Sequence, residues 1–228
     1  MDLTPEEIRV LGALIEKERT TPDQYPMTTN ALRLACNQKT SREPVVDYDE
    51  RTVDSAMLAL RDRRLARTVV SGGAGRAAKH KQVAEEVWGF GSDALAVLSV
   101  LALRGPQTPG ELRSRTERLH DFGSVDEVVA VLNRLADRDE PFVTLLERRP
   151  GQKEARYAHL LAGEVIEVES ASYGYGPDGQ VSGSPGGARS AAAQRIEELE
   201  EEVGSLRSDL DLLRTQFDTL CERLGEAL

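Results

Sequence analysis

The chain has few of the residue types from which active sites and cross-linked folds are built. It has two cysteines, three histidines and one tryptophan in 228 residues, and only 4% of its residues are aromatic. Cys36 and Cys221 are too far apart in the sequence to indicate a disulfide framework, so a reducing compartment, the cytoplasm, is expected. No stretch approaches the roughly 18 apolar residues of a membrane span, and the N-terminus lacks a signal-peptide pattern. We therefore expect a protein that is neither secreted nor membrane-embedded.

The histidines give little support to an enzymatic function. His80, His120 and His159 fall in three separate predicted elements, and none has an acidic or cysteine partner at metal-ligand spacing. The glycine-rich run SGGAGRAAKH lacks the Gly-Lys-Ser/Thr of a phosphate loop, and it follows a helix and a strand-like run, unlike the strand-loop-helix order that such a loop requires. We expect no catalytic residues, no metal and no cofactor.

Charge is distributed unevenly along the chain. Residues 1–90 carry 14 basic and 14 acidic side chains, residues 91–161 carry 10 and 11, and residues 162–228 carry 5 and 14. Almost all of the net charge of -10 therefore lies in the last segment. Because the first 161 residues are nearly neutral, nucleic-acid binding has to be judged from local patches rather than from the acidic whole chain.

Two copies of one helical pattern occupy the first 161 residues. In each copy, apolar spacing predicts three helices, and two short strand-like runs around a turn follow. The predicted core positions are Ile8, Leu11, Leu14, Leu32, Ala35, Val53, Met57 and Leu60, then Leu95, Leu98, Leu101, Leu112, Val128, Leu132 and Leu135. Thr4, Thr28 or Thr29, and Thr108 are placed to cap helices. Three helices and a hairpin describe a winged helix. The predicted fold class is therefore α+β, mostly helical, with winged-helix domains at residues 1–90 and 91–161.

The run QYPMTTNALRLACNQKTSREPV, with the third helix and the segment SGGAGRAAKHKQ after it, carries a family resemblance. From about Thr4 to Leu161 the chain resembles the YceH family of bacterial proteins. The resemblance implies a tandem winged-helix architecture. It implies no established activity.

The segment NQKTSREPVV, which follows the second helix, is rich in hydrogen-bonding side chains. It admits two interpretations. In one, its polar groups satisfy one another and the end of the helix and so fix a long loop. In the other, they form a recognition surface for a protein partner. The candidate residues are Asn37, Gln38, Lys39, Arg42 and Glu43. Cys36 is expected to be a small buried residue, and Val45 and Val46 are expected to enter the core.

Positive charge concentrates at the end of the third helix and along the first predicted hairpin. Seven basic residues lie between Arg61 and Gln82, against the single acid Asp62. The candidate phosphate and base contacts to double-stranded DNA are Arg51, Arg61, Arg64, Arg67, Arg76, Lys79 and Lys81. Three acidic residues at the front of the third helix, Asp49, Glu50 and Asp54, oppose this interpretation, because they would meet a negatively charged groove.

Two functional hypotheses follow, both non-enzymatic. The first is a DNA-associated, transcription-regulator-like protein that uses the basic hairpin of the first domain. The second is a protein–protein interaction adaptor that uses the NQKTSREP loop and the acidic second domain, whose third helix is rich in aspartate and glutamate.

The C-terminal part of the chain predicts a tether and a coiled coil. Residues 162–190 are rich in Gly, Ser and Pro, as is typical of a flexible linker, and heptad spacing returns in residues 191–228. The apolar seam runs from Ile196 to Leu224. The charge pairs Arg195 with Glu200, Glu202 with Arg207 and Asp209 with Arg214 favour a parallel homodimer through residues 196–224. The alternative is a single helix that folds back onto the globular part.

Overall fold

The computed structural model describes residues 2–69, 78–148 and 154–163. The first three long helices begin where the sequence supplies a cap: α1 (Pro5–Thr20) after Thr4, α2 (Thr29–Cys36) after Thr28 and α3 (Glu50–Asp62) after Asp49. In each case the cap oxygen accepts a hydrogen bond from a backbone N–H of the first turn, which would otherwise be unsatisfied. Thr28 is therefore the cap of α2, and Thr29 is its first residue.

A small antiparallel sheet completes the first half. Its strands are β1 (Met27–Thr28), β2 (Ala66–Val69) and β3 (Lys79–Gln82), in the spatial order β1, β3, β2. A short 3-10 turn (Pro22–Gln24) connects α1 to β1. The sequence predicts β2 and β3 as a hairpin, but β1 is only two residues long and carries no alternating pattern.

The second half repeats the order of three helices and a strand pair. After the short helix α4 (Ala84–Trp88) come α5 (Ser92–Arg104), α6 (Pro109–Thr116) and α7 (Val125–Ala136). The antiparallel strands β4 (Val143–Leu145) and β5 (Tyr157–His159) follow. The described chain is thus mixed helix and sheet, mostly helical. Among the described residues, no helix has the length and apolar character needed to cross a membrane.

The core confirms the predicted apolar pattern and joins the two halves. Every core residue predicted from the helical spacing is at most 6% exposed, and Cys36 is fully buried. α1 lies against α5 at Gly12, where an added Cβ would come within 3.1 Å of Leu103 Cγ. The buried Ser99 hydroxyl donates to the Gly12 carbonyl at 3.0 Å. One continuous core therefore runs through both halves, while the domain boundary at residues 90 and 91 stays a prediction.

The prediction for the valines after Cys36 is wrong at Val45. Its side chain is 56% exposed, and that of Val46 is only partly buried. Backbone contacts of the two preceding residues hold the loop here: Glu43 N donates to the Leu103 carbonyl at 2.8 Å, and the Pro44 carbonyl accepts from Arg9 at 2.6 Å. With the backbone fixed in this way, Val45 faces solvent.

The predicted tether and coiled coil occupy the C-terminal part of the chain. Residues 164–228, which include nearly all of the predicted linker and the whole heptad seam, lie outside the described residues.

Candidate functional site

The β2–β3 hairpin presents a basic outer face. Pairing places Arg67 directly opposite Lys81 and Val69 opposite Lys79, and all four side chains lie on the same side of the hairpin because side chains alternate along a strand. Arg67 lies 3.5 Å from Glu86, but both side chains are more than half exposed, so this ion pair contributes little to stability. Two like charges directly opposite each other are unfavourable for the hairpin itself. Stability of the hairpin therefore does not explain this charge.

The inner face of the hairpin is fixed to the helices by His80. Its Nε2 lies 3.0 Å from the Thr29 hydroxyl and its Nδ1 lies 3.2 Å from the Thr68 hydroxyl. The Thr29 hydroxyl donates to Asp54 Oδ1 at 2.9 Å, so it accepts from an Nε2–H of His80, and Nδ1 then accepts from Thr68. Burial lowers the pKa of His80, which favours this neutral form.

This network ties β3 to β2, to the start of α2 and to α3. It was not predicted from the sequence, because a lone histidine between two lysines carries no signal of a partner 51 residues away.

The other predicted DNA contacts fall into two places. Arg61 and Arg64 are exposed at the end of α3 and in the turn that leads into β2. Arg51 lies in the first turn of α3, about 15 Å from Arg61 along the helix. It lines a cleft with Glu6, Glu7 and Asp49, among others. The structure thus groups Arg61, Arg64, Arg67, Lys79 and Lys81 around the hairpin and places Arg51 apart in acidic surroundings. Arg76 lies outside the described residues.

Two of the three acidic residues at the front of α3 have local structural roles. Asp49 caps the helix, and the hydrogen bond from the Thr52 backbone N–H lowers the pKa of Asp49. Asp54 accepts from Thr29 in the network around His80. Glu50 is exposed. The acidic character of this helix end is therefore largely explained by the fold.

Arg42 is the centre of the NQKTSREP loop and is buried. Its five N–H donors are all used: Nη1 and Nη2 bind the two carboxylate oxygens of Glu16 at 3.0 and 2.7 Å, and the remaining bonds go to the carbonyls of Ala35 and Ser41. The Ala35 carbonyl belongs to the last turn of α2, so Arg42 satisfies the helix end. Its side chain is 0% exposed and offers no surface to a partner.

Asn37 closes the same loop at its base. Its Oδ1 accepts from the Tyr48 backbone N–H at 2.9 Å, and its Nδ2 donates to the Tyr48 carbonyl at 2.8 Å. Burial raises the pKa of the neighbouring Cys36 thiol to about 12, so this cysteine is an unreactive core residue. For Asn37 and Arg42 the contacts are those of a fixed loop. Lys39 and Glu43 are exposed, and a partner-binding role for the loop stays a prediction.

The loop also borders a polar cleft of about 380 Å³ between the two halves. On one side are Glu16, Lys17 and Thr20 of α1. On the other sides are Gln38, Lys39, Thr40 and Ser41 of the loop and Arg118 from the second half, just after α6. The Ser41 hydroxyl accepts a hydrogen bond from Arg104 at the end of α5. The cleft brings together Lys39 and Arg118, which lie some 80 positions apart in the sequence and which no local sequence pattern connects.

The outer face of α7 and the turn after it are acidic, as the sequence predicts. The exposed acids are Asp126, Glu127, Asp137, Asp139 and Glu140. The nearby basic residues are engaged: Arg134 binds Asp93, and the Arg138 guanidinium lies 4.8 Å from the centre of the Phe90 ring. This face is therefore unsuited to contact with phosphates.

Comparison with known proteins shows extended similarity. The model of a family described as "Protein of unknown function, DUF480" matches residues 3–152. A UPF0502 protein of Pelobacter propionicus is 46% identical over 218 residues, which cover 96% of each chain. UPF0502 proteins of Shewanella sp. MR-4 and Azoarcus sp. BH72 are 44% and 45% identical, over 93% and 96% of this chain and 98% and 92% of theirs. The resemblance predicted from the sequence is confirmed, and the chain belongs to this DUF480 (UPF0502, YceH) family of bacterial proteins.

Proposed function

We propose that residues 1–90 form a winged helix that binds double-stranded DNA through the basic outer face of the β2–β3 hairpin. The observation that carries this proposal is the two-sided construction of the hairpin. One face is fixed to α2 and α3 through His80, and the other presents the exposed Arg67 and Lys79 and the partly exposed Lys81, with Glu86 as the one acid paired with them among the described residues. A rigid base with an exposed row of cations suits contact with a phosphate backbone.

The binding mode we propose is contact with the backbone rather than reading of bases. α3, which enters the major groove in many helix-turn-helix proteins, exposes Glu50 and Asp54 near its start, and these would repel phosphates. Arg51 is the basic residue at that end, and it lies beside Glu6 and Glu7. The expected binding is therefore strongly dependent on salt and weakly dependent on sequence.

The C-terminal segment would increase the effective affinity. We propose that residues 196–224 form a parallel coiled coil that joins two chains through the linker at 162–190. Two tethered hairpins on one duplex would bind more tightly than one without any new contact, and a flexible tether would not enforce a fixed spacing between half-sites. The heptad seam and its three complementary charge pairs support this arrangement.

The test is a fluorescence anisotropy titration of a labelled duplex of mixed sequence with the full-length protein at several salt concentrations. The Lys79→Ala/Lys81→Ala variant should bind more weakly, and the slope of log affinity against log salt should fall by about 1.8, since each lost phosphate contact removes about 0.9. The Lys39→Ala/Arg118→Ala variant is a matched control, because it also loses two cations that solvent reaches, but on a different surface. If wild-type protein does not bind duplex even at low salt, the proposal is wrong.

A second candidate function is a protein–protein adaptor, which the exposed acids of α7 favour. A basic partner surface would complement Asp126 and Glu127 together with the acidic turn after the helix. We propose this surface as the functional one in the case that the hairpin does not bind DNA. The Asp126→Asn/Glu127→Gln variant should then no longer capture a defined basic partner. The Lys79→Ala/Lys81→Ala variant should capture that partner as well as wild type does. Equal capture by the amide variant would rule the adaptor out.

A further inference from the structure

The cleft between α1, the NQKTSREP loop and Arg118 has more hydrogen-bond donors than acceptors among its described lining residues, although the Thr20 hydroxyl, which donates to the Glu16 carbonyl at 2.9 Å, leaves its oxygen as an acceptor. The Glu16 carboxylate is the one acidic group among its lining residues, and both of its oxygens are occupied by Arg42. Lys17 lies 3.1 Å from Glu16 and donates to Gln38 Oε1 at 3.4 Å. Glu16 is thus neutralised by two cations, and Lys39 and Arg118 remain as exposed positive charges at the rim.

The uncharged side chains of the cleft add donors as well. The amide oxygen of Gln38 is used by Lys17, so its Nε2 group, with two N–H donors, is left for other partners. The Ser41 hydroxyl oxygen accepts from Arg104, so its proton is free to be donated. Thr40 contributes a further hydroxyl. A ligand that fits this set must accept several hydrogen bonds and carry negative charge.

The surroundings add to the positive potential. Arg104 lies behind the loop, where burial and then the charge of Arg115 lower the pKa of Arg104, Glu16 raises it and Arg42 lowers it further. The charges of Arg115 and Arg42 repel that of Arg104, and the Glu16 carboxylate partly offsets this repulsion. An anion bound in the cleft would relieve this repulsion.

We propose that this cleft is a binding site for a phosphate or diphosphate group. A tetrahedral oxyanion offers acceptors in several directions, as the arrangement of donors from α1, the loop and Arg118 requires, and it carries the double charge that two rim cations favour. The volume of about 380 Å³ lies within the range of small-ligand sites and accommodates a diphosphate with part of the group that carries it. The site is independent of the hairpin and of any role the hairpin has in DNA binding.

The test uses sodium pyrophosphate as the probe and isothermal titration calorimetry on the full-length protein, with ionic strength held constant by sodium chloride. Wild type should bind pyrophosphate saturably. Lys39→Ala/Arg118→Ala should weaken the affinity about tenfold to a hundredfold, because two charge-assisted contacts are lost. The matched Lys79→Ala/Lys81→Ala variant should retain the wild-type affinity. Absence of saturable binding to wild type, or equal weakening in both variants, would overturn the proposal.

Two further arms make the result unambiguous. Both rim residues are exposed, so unchanged thermal stability of the cleft variant should show that the fold is intact. The Lys39→Gln/Arg118→Gln variant, which removes both charges but keeps polar side chains, should also lose affinity and serves if the alanine variant is unstable. Duplex DNA titrated against the cleft variant distinguishes the carrier of the phosphate. Unchanged DNA binding indicates a small phosphorylated molecule, as expected for a site independent of the hairpin. Weakened DNA binding together with loss of pyrophosphate affinity would indicate the nucleic-acid backbone and would contradict that independence.

Discussion

Replacing Arg42 with Ala should destabilise the protein strongly although the residue lies in a loop. The substitution removes a buried side chain whose five donors are all bonded, and it leaves the Ala35 carbonyl at the end of α2 without its partner. Breaking a buried ion pair by removing one member costs about 3–5 kcal/mol. The side chain of Glu16 is 15% exposed and keeps Lys17 at 3.1 Å, so its charge is still partly compensated in the variant. The cost should therefore lie at the lower end of this range. We expect a loss of about 3 kcal/mol in the free energy of unfolding.

The measurement is urea denaturation followed by circular dichroism, with thermal melts in parallel. For a chain of this size, a loss of about 3 kcal/mol corresponds to a fall in Tm of roughly 6–12 °C. Lys39→Ala is the control, because it removes an exposed cation three residues earlier and should change stability by less than about 0.5 kcal/mol. A loss below about 1 kcal/mol for Arg42→Ala, or equal losses for the two variants, would refute the account of the loop.

The same ion pair should respond to acid. Burial tends to raise the pKa of Glu16, but the hydrogen bond and charge of Arg42, with Lys17, bring the pKa below its ordinary value of 4.5. A carboxyl group with a lowered pKa contributes stability above its unfolded-state pKa, and that contribution is lost as the pH falls through the folded-state pKa. The difference in stability between wild type and Arg42→Ala should therefore be full at neutral pH and should shrink in strong acid.

Three other predictions concern the core, the second half and the tail. Gly12→Leu should lower the free energy of unfolding by about 1–3 kcal/mol, because the added side chain overlaps Leu103 and α1 and α5 cannot move apart freely. Residues 1–161 of this variant should still unfold in one transition by circular dichroism, and two separate transitions would contradict the shared core. Burial lowers the pKa of His159 from 6.5 to about 4, so the unfolded chain takes up a proton that the folded chain does not, and stability should fall as the pH drops through this window. The loss between about pH 7.5 and 5 should be about 2 kcal/mol, and His159→Gln should flatten it; an unchanged pH slope would contradict this assignment. Removal of residues 191–228 should convert a dimer into a folded monomer in light scattering, and a truncated protein that stays dimeric would exclude the coiled coil.

The helices and the core were predictable because they depend on local signals. Thr4, Thr28 and Thr108 cap helices in the structure as the sequence indicates, since a cap acts on the backbone of the turn that follows it. The buried positions follow from apolar residues repeated at helical spacing. The two-residue strand β1 and the short helix α4 were missed, because neither is long enough to show a period.

The polar sites depend on contacts that no local pattern encodes. Arg42 is one basic residue among several in a hydrophilic segment, and its partner Glu16 is 26 residues away in the C-terminal half of α1. Val45 was expected in the core because it is apolar, but the position of the backbone at Glu43 and Pro44, set by α5 and Arg9, directs it outward. The cleft needs Arg118 beside Lys39, which is a consequence of how the two halves pack.

The most direct test of the central claim is to locate the residues that duplex DNA contacts. Backbone amide shifts of the isotope-labelled protein should be followed by NMR during titration with a mixed-sequence duplex at low salt. We predict perturbations at Ala66–Val69, at Lys79–Gln82 and at the end of α3 around Arg61, with α6 and α7 unaffected. Saturable binding with perturbations confined to the second half, or no perturbation of the hairpin at any DNA concentration, would contradict the assignment of the hairpin as the DNA-binding surface.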